Sequence, residues 1–278
     1  MTTEALLNHP ALRALGRRAA DWIDLQWSLT VASLREVAPR ARGRLLDVGC
    51  GDKPYLSIFL PHVHSYVGVE YAGSFGSTSA SGEDRAHHPD VVYSGGRLPF
   101  RDGSFDTVLS VQVLEHTPRP GPLVAEMARV LAPDGLLILT APFQFRLHEE
   151  PHDYFRYSPH GLRQLCADAG LEVTEVRQQG SLWSLVGHKL NTFLAFRVAR
   201  VGRMAQGMGK LGHEKPATQA IRYWTLPLVA PAMGGISLGA RVLDRLLFDP
   251  EETLGFLVLA RHGGGVARST PNSKEPSA

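Results

Sequence analysis

Between Arg146 and Tyr157 the chain of 278 residues places His148, His152, Glu149, Glu150, Asp153, Arg146, Arg156, Tyr154 and Tyr157. That many titratable groups in so few positions exceeds what an ordinary short connection needs, and it points to chemistry. A histidine near its reference pKa can take a hydroxyl proton at neutral pH. His148 and His152 are four positions apart, so on a helical turn they would share a face, with Pro151 acting against that turn. His152 is the first choice of general base, because Asp153 or Tyr154 could orient it, and His148 is the second. The alternative for His152, Asp153, Arg156 and Tyr157 is a hydrogen-bonded lock that holds the segment against the rest of the fold. His148, Glu149, His152 and Asp153 also offer donors for a divalent ion, but nothing elsewhere in the sequence completes the set, and no metal is expected.

A second chemical signal lies upstream, in Leu45-Leu46-Asp47-Val48-Gly49-Cys50-Gly51-Asp52-Lys53-Pro54-Tyr55. An apolar strand runs directly into a glycine-rich turn and then a helix. Gly49 and Gly51 let the backbone bend sharply and approach a ligand with no Cβ in the way. Asp47 can accept hydrogen bonds from the turn or from an ammonium group. A dinucleotide fingerprint would need a third glycine where Pro54 stands, and the carboxylates Asp47 and Asp52 would repel a pyrophosphate. A cationic ligand with an amino-acid tail suits the turn better. Glu70 ends the next apolar run at roughly the spacing, about 20 residues, at which a carboxylate reaches ribose hydroxyls.

The elements that must position these groups follow from periodicity. Apolar runs at Arg44–Val48, Tyr66–Glu70, Val91–Tyr93, Phe105–Val111 and Leu136–Thr140 predict buried strands, and Tyr55–Leu60, Pro120–Leu131 and Pro159–Ala169 predict helices between or after them. Strands alternating with helices imply a parallel sheet covered on both faces. Gly135 and Gly170 are placed as helix C-caps with positive φ. Leu171–Arg177 and Leu254–Arg261 predict two further strands. The first forty residues read as helix, divided at Pro10 and ended at Pro39.

Taken in order, Asp47-x-Gly49-x-Gly51, Glu70, Arg97-Leu98-Pro99-Phe100-x-x-x-Ser104-Phe105-Asp106, Val113-Leu114-Glu115-His116 and Leu131-x-Pro133-x-Gly135 resemble the class I S-adenosylmethionine-dependent methyltransferases. The type is the small-molecule one with Leu-Pro-Phe and Leu-Glu-His signatures. The resemblance covers Arg44 to Leu171 and resumes at the last strand. It implies an α/β fold with a Rossmann-like, seven-stranded, mostly parallel sheet whose final strand is antiparallel, with helices on both faces. It implies S-adenosyl-L-methionine as cofactor, with Asp47, Gly49, Cys50 and Gly51 around its methionine part and Glu70 on the ribose. Tyr71 would lie against the adenine or serve packing, and Gln112 would sit near the reactive methyl. Ser94 stands where the family often carries an Asp for the adenine amino group, and Lys53-Pro54 replaces the usual third glycine. His116, after Glu115, either faces the pocket or caps the following helix.

The domain division expected is an N-terminal helical lid at 1–40, a methyltransferase domain at 41–262 and a disordered tail at 263–278. Within the domain, residues 181–250 form an apolar and basic helical insertion before the last strand. Between Ser181 and Arg222 seven Lys and Arg stand against Glu214, a local charge of +6 in a chain of net +2. Tyr223–Ala240 carries no charge, but Pro227, Pro231, Gly234, Gly235 and Gly239 argue against a straight spanning helix. Either the insertion packs on the sheet and lines an acceptor pocket, or it touches an anionic membrane surface through 181–240. The modest net charge, and Ser110-Val111-Gln112-Val113 in place of the Asn/Asp-Pro-Pro-aromatic pattern of base-modifying enzymes, argue against a nucleic-acid partner. Cys50 and Cys166 form no pair motif, and no signal-peptide layout opens the chain, so a cytoplasmic protein is expected, with contact at the inner membrane face as the variant of that reading. The expected activity is O-methylation of a small-molecule, sugar or lipid-like acceptor. The alternatives are N- or C-methylation, or a non-catalytic donor-binding scaffold.

Overall fold

A computed structural model describes residues 18–73, 88–199 and 225–263. The expected division at Pro10, the tail from 264 onward and residues 200–224 of the insertion lie outside the described residues. Seven strands form one sheet: β1 (Arg44–Val48), β2 (Ser65–Tyr71), β3 (Val91–Tyr93), β4 (Phe105–Val111), β5 (Leu131–Pro142), β6 (Leu171–Gln178) and β7 (Gly255–His262). Their order is β3-β2-β1-β4-β5-β7-β6. The first five strands pair in parallel, and β7 runs antiparallel between β5 and β6. The strand order reverses between β1 and β4, which is where open α/β sheets hold ligands at their carboxyl edge.

Both faces of the sheet are covered, as the near-continuous apolar character of β1, β4 and β5 requires. On one face α3 (Pro120–Val130) and α4 (Pro159–Asp168) lay down Leu123, Val124, Met127, Ala128, Leu162 and Cys166. On the other, α1 (Leu25–Val37) and the short α2 (Leu56–Phe59) contribute Leu34, Val37 and Phe59 against Leu45, Leu109 and Ile138. Asp24 opens α1 by accepting from the Trp27 N–H at 3.1 Å, and Ser158 opens α4 by accepting from Gly161 at 3.1 Å. Gly170, at φ +77°, ends α4 as the sequence suggested.

Gly135 does not. It lies inside β5, because α3 passes directly into extended backbone at Leu131. A Cβ at Gly135 would meet Leu131 Cδ1 at 2.6 Å and the Ala132 carbonyl oxygen at 2.9 Å, so close approach, not a left-handed cap, selects glycine there.

The insertion supplies α5 (Leu182–Phe193) and α6 (Leu226–Leu246). Against the sequence expectation of an interrupted apolar segment, α6 is continuous. Pro231 sits near its start and forfeits one backbone bond, to the Pro227 carbonyl. Among the described residues no helix is long and apolar enough to cross a membrane. Gly187 lets α5 come close to α6 and α1: a Cβ there would lie 2.9 Å from both Ala240 Cβ and Leu25 Cδ1. Asn191 donates to Ser237 Oγ (2.8 Å), which donates to the Ile23 carbonyl (2.9 Å), so the N-terminal helical region and the insertion are tied together.

Candidate active site

Asp47 is the penultimate residue of β1, paired to β2 at Gly68 and to β4 at Leu109, and its side chain is buried. The Tyr66 hydroxyl, from β2, donates to its carboxylate. The chain then turns through Gly49 (φ +75°) and Gly51 (φ +49°), conformations that side chains rarely tolerate. A Cβ at Gly49 would lie 2.4 Å from Val113 Cγ2, so the turn after β1 presses on the segment after β4. At Gly51 a Cβ would meet nothing within 4 Å, leaving an open approach to the backbone. The Gly51 N–H donates to Glu70 Oε2 at 2.8 Å and the Tyr71 N–H to Glu70 Oε1 at 2.9 Å, which fixes the Glu70 carboxylate beside the turn.

Two buried carboxylates therefore share this edge. Burial lifts Asp47 to about 7, the Tyr66 hydrogen bond works against that rise, and the nearby Glu70 charge adds to it. Lys53, buried although it is a lysine, bonds to Asp90 at 2.7 Å. Its stem and the Cys50 thiol pass over Gly68, where a Cβ would come within 2.7 Å of each. Lys53 thus braces the turn from behind in place of the third glycine.

The other expected donor-binding positions divide. The Cys50 side chain is buried against β2, with its thiol pushed up by burial, so only its backbone belongs to the turn. Tyr71 is exposed on the rim, edge-on to Tyr93 at 6.0 Å, with exposed Ser94 one residue beyond β3. Gln112 adopts φ +56° directly after β4 and donates to Thr140 Oγ1 at 3.2 Å. Gln26 of α1 donates to the Gln112 side-chain oxygen at 3.4 Å, and Trp27 stacks on Tyr55 at 5.5 Å, so α1 closes over this edge. Tyr66 and Gln26 were not foreseen, because strand register and the docking of α1 carry no local sequence signal.

The polar segment after β5 lies on the same edge, and it is not helical. His148 and His152 therefore do not share a helical face as the spacing suggested, because the chain reverses through Glu149 at φ +52°. Asp153, its side chain only 1% exposed, accepts from the Arg156 guanidinium at 2.6 and 2.7 Å and from the His148 N–H at 3.0 Å. Burial would raise Asp153, but these donors prevail and hold it at about 2. Arg156 also donates to the carbonyls of Phe145, Arg146 and Phe155, and the Tyr157 hydroxyl to that of Leu114. Asp153, Arg156 and Tyr157 thus form the lock. His152 stands apart from it, its Nδ1 2.9 Å from the Tyr154 hydroxyl. Tyr154, not Asp153, orients His152.

His148 instead faces His116, with the Nε2 atoms 3.1 Å apart. Burial, and secondarily the His116 ring, pull His148 down to about 4. Neither His116 nor Glu115 caps α3, whose N-cap residue is Arg119; Glu115 is fully buried beside the two rings, and burial raises it to about 8. On the outer side Phe145 packs on His188 of α5 at 5.0 Å, and Arg146 lies over Phe196 at 4.7 Å, so the insertion forms a wall of the segment.

A family model described as a methyltransferase domain matches residues 46–139, the stretch that carries most of β1, all of β2, β3 and β4, and most of β5. An uncharacterized methyltransferase of Mycobacterium marinum is 42% identical over 131 residues, which cover 46% of this chain and 49% of that protein. One of Mycobacterium tuberculosis is 37% identical over 124 residues, covering 44% and 47%. The chain spans about half the length of these relatives. Among solved structures, one from the complex between the Haloferax volcanii Trm112 methyltransferase activator and a methyltransferase aligns over 90% of this chain and 95% of its own, with TM-score 0.51 at 17% identity. That likeness establishes a shared fold. The seven-stranded sheet has the Rossmann-like order of that shared fold, and residues 46–139 match the methyltransferase domain model.

Proposed function

We propose that this chain, whose residues 46–139 match a methyltransferase domain model, uses S-adenosyl-L-methionine to methylate a hydroxyl of a small-molecule, sugar or lipid-like acceptor. The observation that carries the reading is the pairing of two buried carboxylates, Asp47 and Glu70, around the open backbone of Gly51. Two carboxylates beside one open turn attract cationic groups, and the donor brings an ammonium and a sulfonium. A phosphate ligand would be repelled. The residues present fit the donor: Asp47 for its ammonium, Glu70 for its ribose hydroxyls, the Gly49–Gly51 backbone along its methionine part, and Tyr71 with Ser94 on the adenine side. When bound, the donor supplies a methyl group already activated by the positive sulfur. The protein then has to align the acceptor, exclude water and remove the acceptor proton.

His152 is the proton acceptor in this reading. Tyr154 orients its ring, whereas burial holds His148 near 4. Gln112, held by Thr140 and Gln26, lines the floor between β4 and α1. The test is transfer of labelled methyl from the donor to hydroxylated lipids, sugars and metabolites. With an accepted substrate, His152→Ala should lower turnover by about 100-fold while sparing affinity for S-adenosylhomocysteine. Turnover equal to wild type would remove His152 from this role.

The lipid-like side of the proposal rests on the insertion. Val186, Leu190 and Phe193 of α5 and Leu238, Val242 and Leu246 of α6 are exposed. Such a surface suits an acceptor with an apolar chain and contact through 181–240 with an anionic membrane. The protein should co-sediment with vesicles containing phosphatidylglycerol, and Leu190→Glu with Phe193→Glu should abolish it. Equal sedimentation of the variant would refute membrane contact through this face.

A further inference from the structure

The contact between His116 and His148 has an electrostatic problem that the proposed methyl transfer does not explain. His116 Nδ1 lies 2.8 Å from the His152 carbonyl oxygen, and His148 Nδ1 lies 3.2 Å from the Arg146 carbonyl and 3.3 Å from the Asp153 carboxylate. Those oxygens can only accept, so both Nδ1 atoms carry hydrogen. Each neutral ring is left with a bare lone pair on Nε2, and the two Nε2 atoms face each other at 3.1 Å. Two lone pairs at that distance repel unless something positive lies between them.

Around the pair stand carboxylates. Glu115 is fully buried, and neither of its carboxyl oxygens accepts a hydrogen bond from another residue. One of these oxygens lies 3.9 Å from His116 Nε2, and Glu149 Oε2 lies 3.6 Å from the same atom. One donor atom each from Glu115, His116 and His148 falls within 4.8 Å of the others. Two imidazole nitrogens bound to one zinc-class ion at about 2.0–2.1 Å stand about 3.3–3.4 Å apart in a tetrahedral arrangement. The 3.1 Å between the Nε2 atoms lies within about 0.3 Å of that spacing.

We propose that Glu115, His116 and His148, with Glu149 closing the set, bind a divalent first-row transition ion of the zinc class. The ligand types are the borderline nitrogen and oxygen donors that such ions favour, and the carboxylate of Asp153 behind His148 fixes the tautomer as metal-bound histidines require. This set differs from the one the loop's own sequence offered: His152 and Asp153 fall out as ligands, and Glu115 and His116, some 30 residues upstream, replace them. It does not depend on the donor reading, since the metal is probed without any nucleoside.

The full chain, stripped with a chelator and dialysed, is titrated with zinc chloride by calorimetry and with cobalt chloride by visible absorption. The expected result is one saturable equivalent and the d–d bands of low-coordinate cobalt. His116→Ala and His148→Ala should each weaken binding by about 100-fold, and the half-exposed Glu149→Gln by about tenfold, with unchanged circular dichroism. No saturable binding to the folded wild type would overturn the proposal and leave a shared proton between the rings. Equal binding by the folded histidine variants would overturn it too, by placing the ion elsewhere. If the histidine variants fail to fold, Glu149→Gln decides: unchanged affinity and cobalt spectrum count against the site.

Discussion

Asp47→Asn should lower affinity for S-adenosylhomocysteine by about 10–100-fold, the range expected for a lost hydrogen bond to a charged group, and should not destabilise the fold. Asn keeps the shape and can still accept from the Tyr66 hydroxyl. What it removes is a carboxylate that burial has lifted from 3.8 to about 7. A group whose folded-state pKa is raised contributes its full stability below the unfolded value, near 3.8, and loses it as pH rises through about 7. At pH 8 the unliganded wild type therefore carries a penalty of about 4 kcal/mol, taking 1.36 kcal/mol per pKa unit, from which Asn is exempt. A bound ammonium offsets that penalty, so wild-type affinity should fall as pH drops below about 7 while the variant's stays flat in pH. Calorimetric titrations between pH 6 and 8, with melting curves, check both halves. Wild-type affinity that is indifferent to pH, or an Asn variant that binds normally, would separate Asp47 from the ligand.

The largest stability loss is expected at Asp153→Ala. The carboxylate is 1% exposed, takes both Arg156 nitrogens, and caps the His148 N–H. Removing it leaves the partly buried guanidinium without its counter-charge, a change that costs about 3–5 kcal/mol in buried pairs. Arg156 also holds three backbone carbonyls of the segment. Its loss of position should release the wall formed with Phe145, His188 and α5. Urea denaturation measures this, and Asp153→Ala combined with Arg156→Met should recover part of the loss because the orphaned charge is gone. A loss below about 1 kcal/mol would show that the pair is better solvated than its burial indicates.

Strand positions were legible because buried parallel strands are short apolar runs with abrupt ends. Arg44–Val48, Val91–Tyr93 and Phe105–Val111 were read to the residue. Where backbone packing overrode local preference the reading failed: Gly135 is selected by closeness to Leu131, and α6 runs unbroken through Pro231 at the loss of one backbone bond. The donor side was legible because its residues lie within one strand-turn-helix unit and the next strand. Its supports were not, since Tyr66 meets Asp47 only through the β1–β2 register and Gln26 meets Gln112 across 86 positions. In the polar segment composition flagged the place, but Glu149 at positive φ decided which histidine meets which partner. The lock at Asp153, Arg156 and Tyr157 and the His116–His148 contact both depend on that reversal.

Donor binding is the central claim, and calorimetric titration of the full chain with S-adenosylhomocysteine, with NAD as control, tests it most directly. Saturable one-to-one binding of S-adenosylhomocysteine, with no heat from NAD, is the expected result. Folded protein that binds NAD instead, or neither ligand, would contradict the assignment of Asp47, Gly51 and Glu70 to the donor.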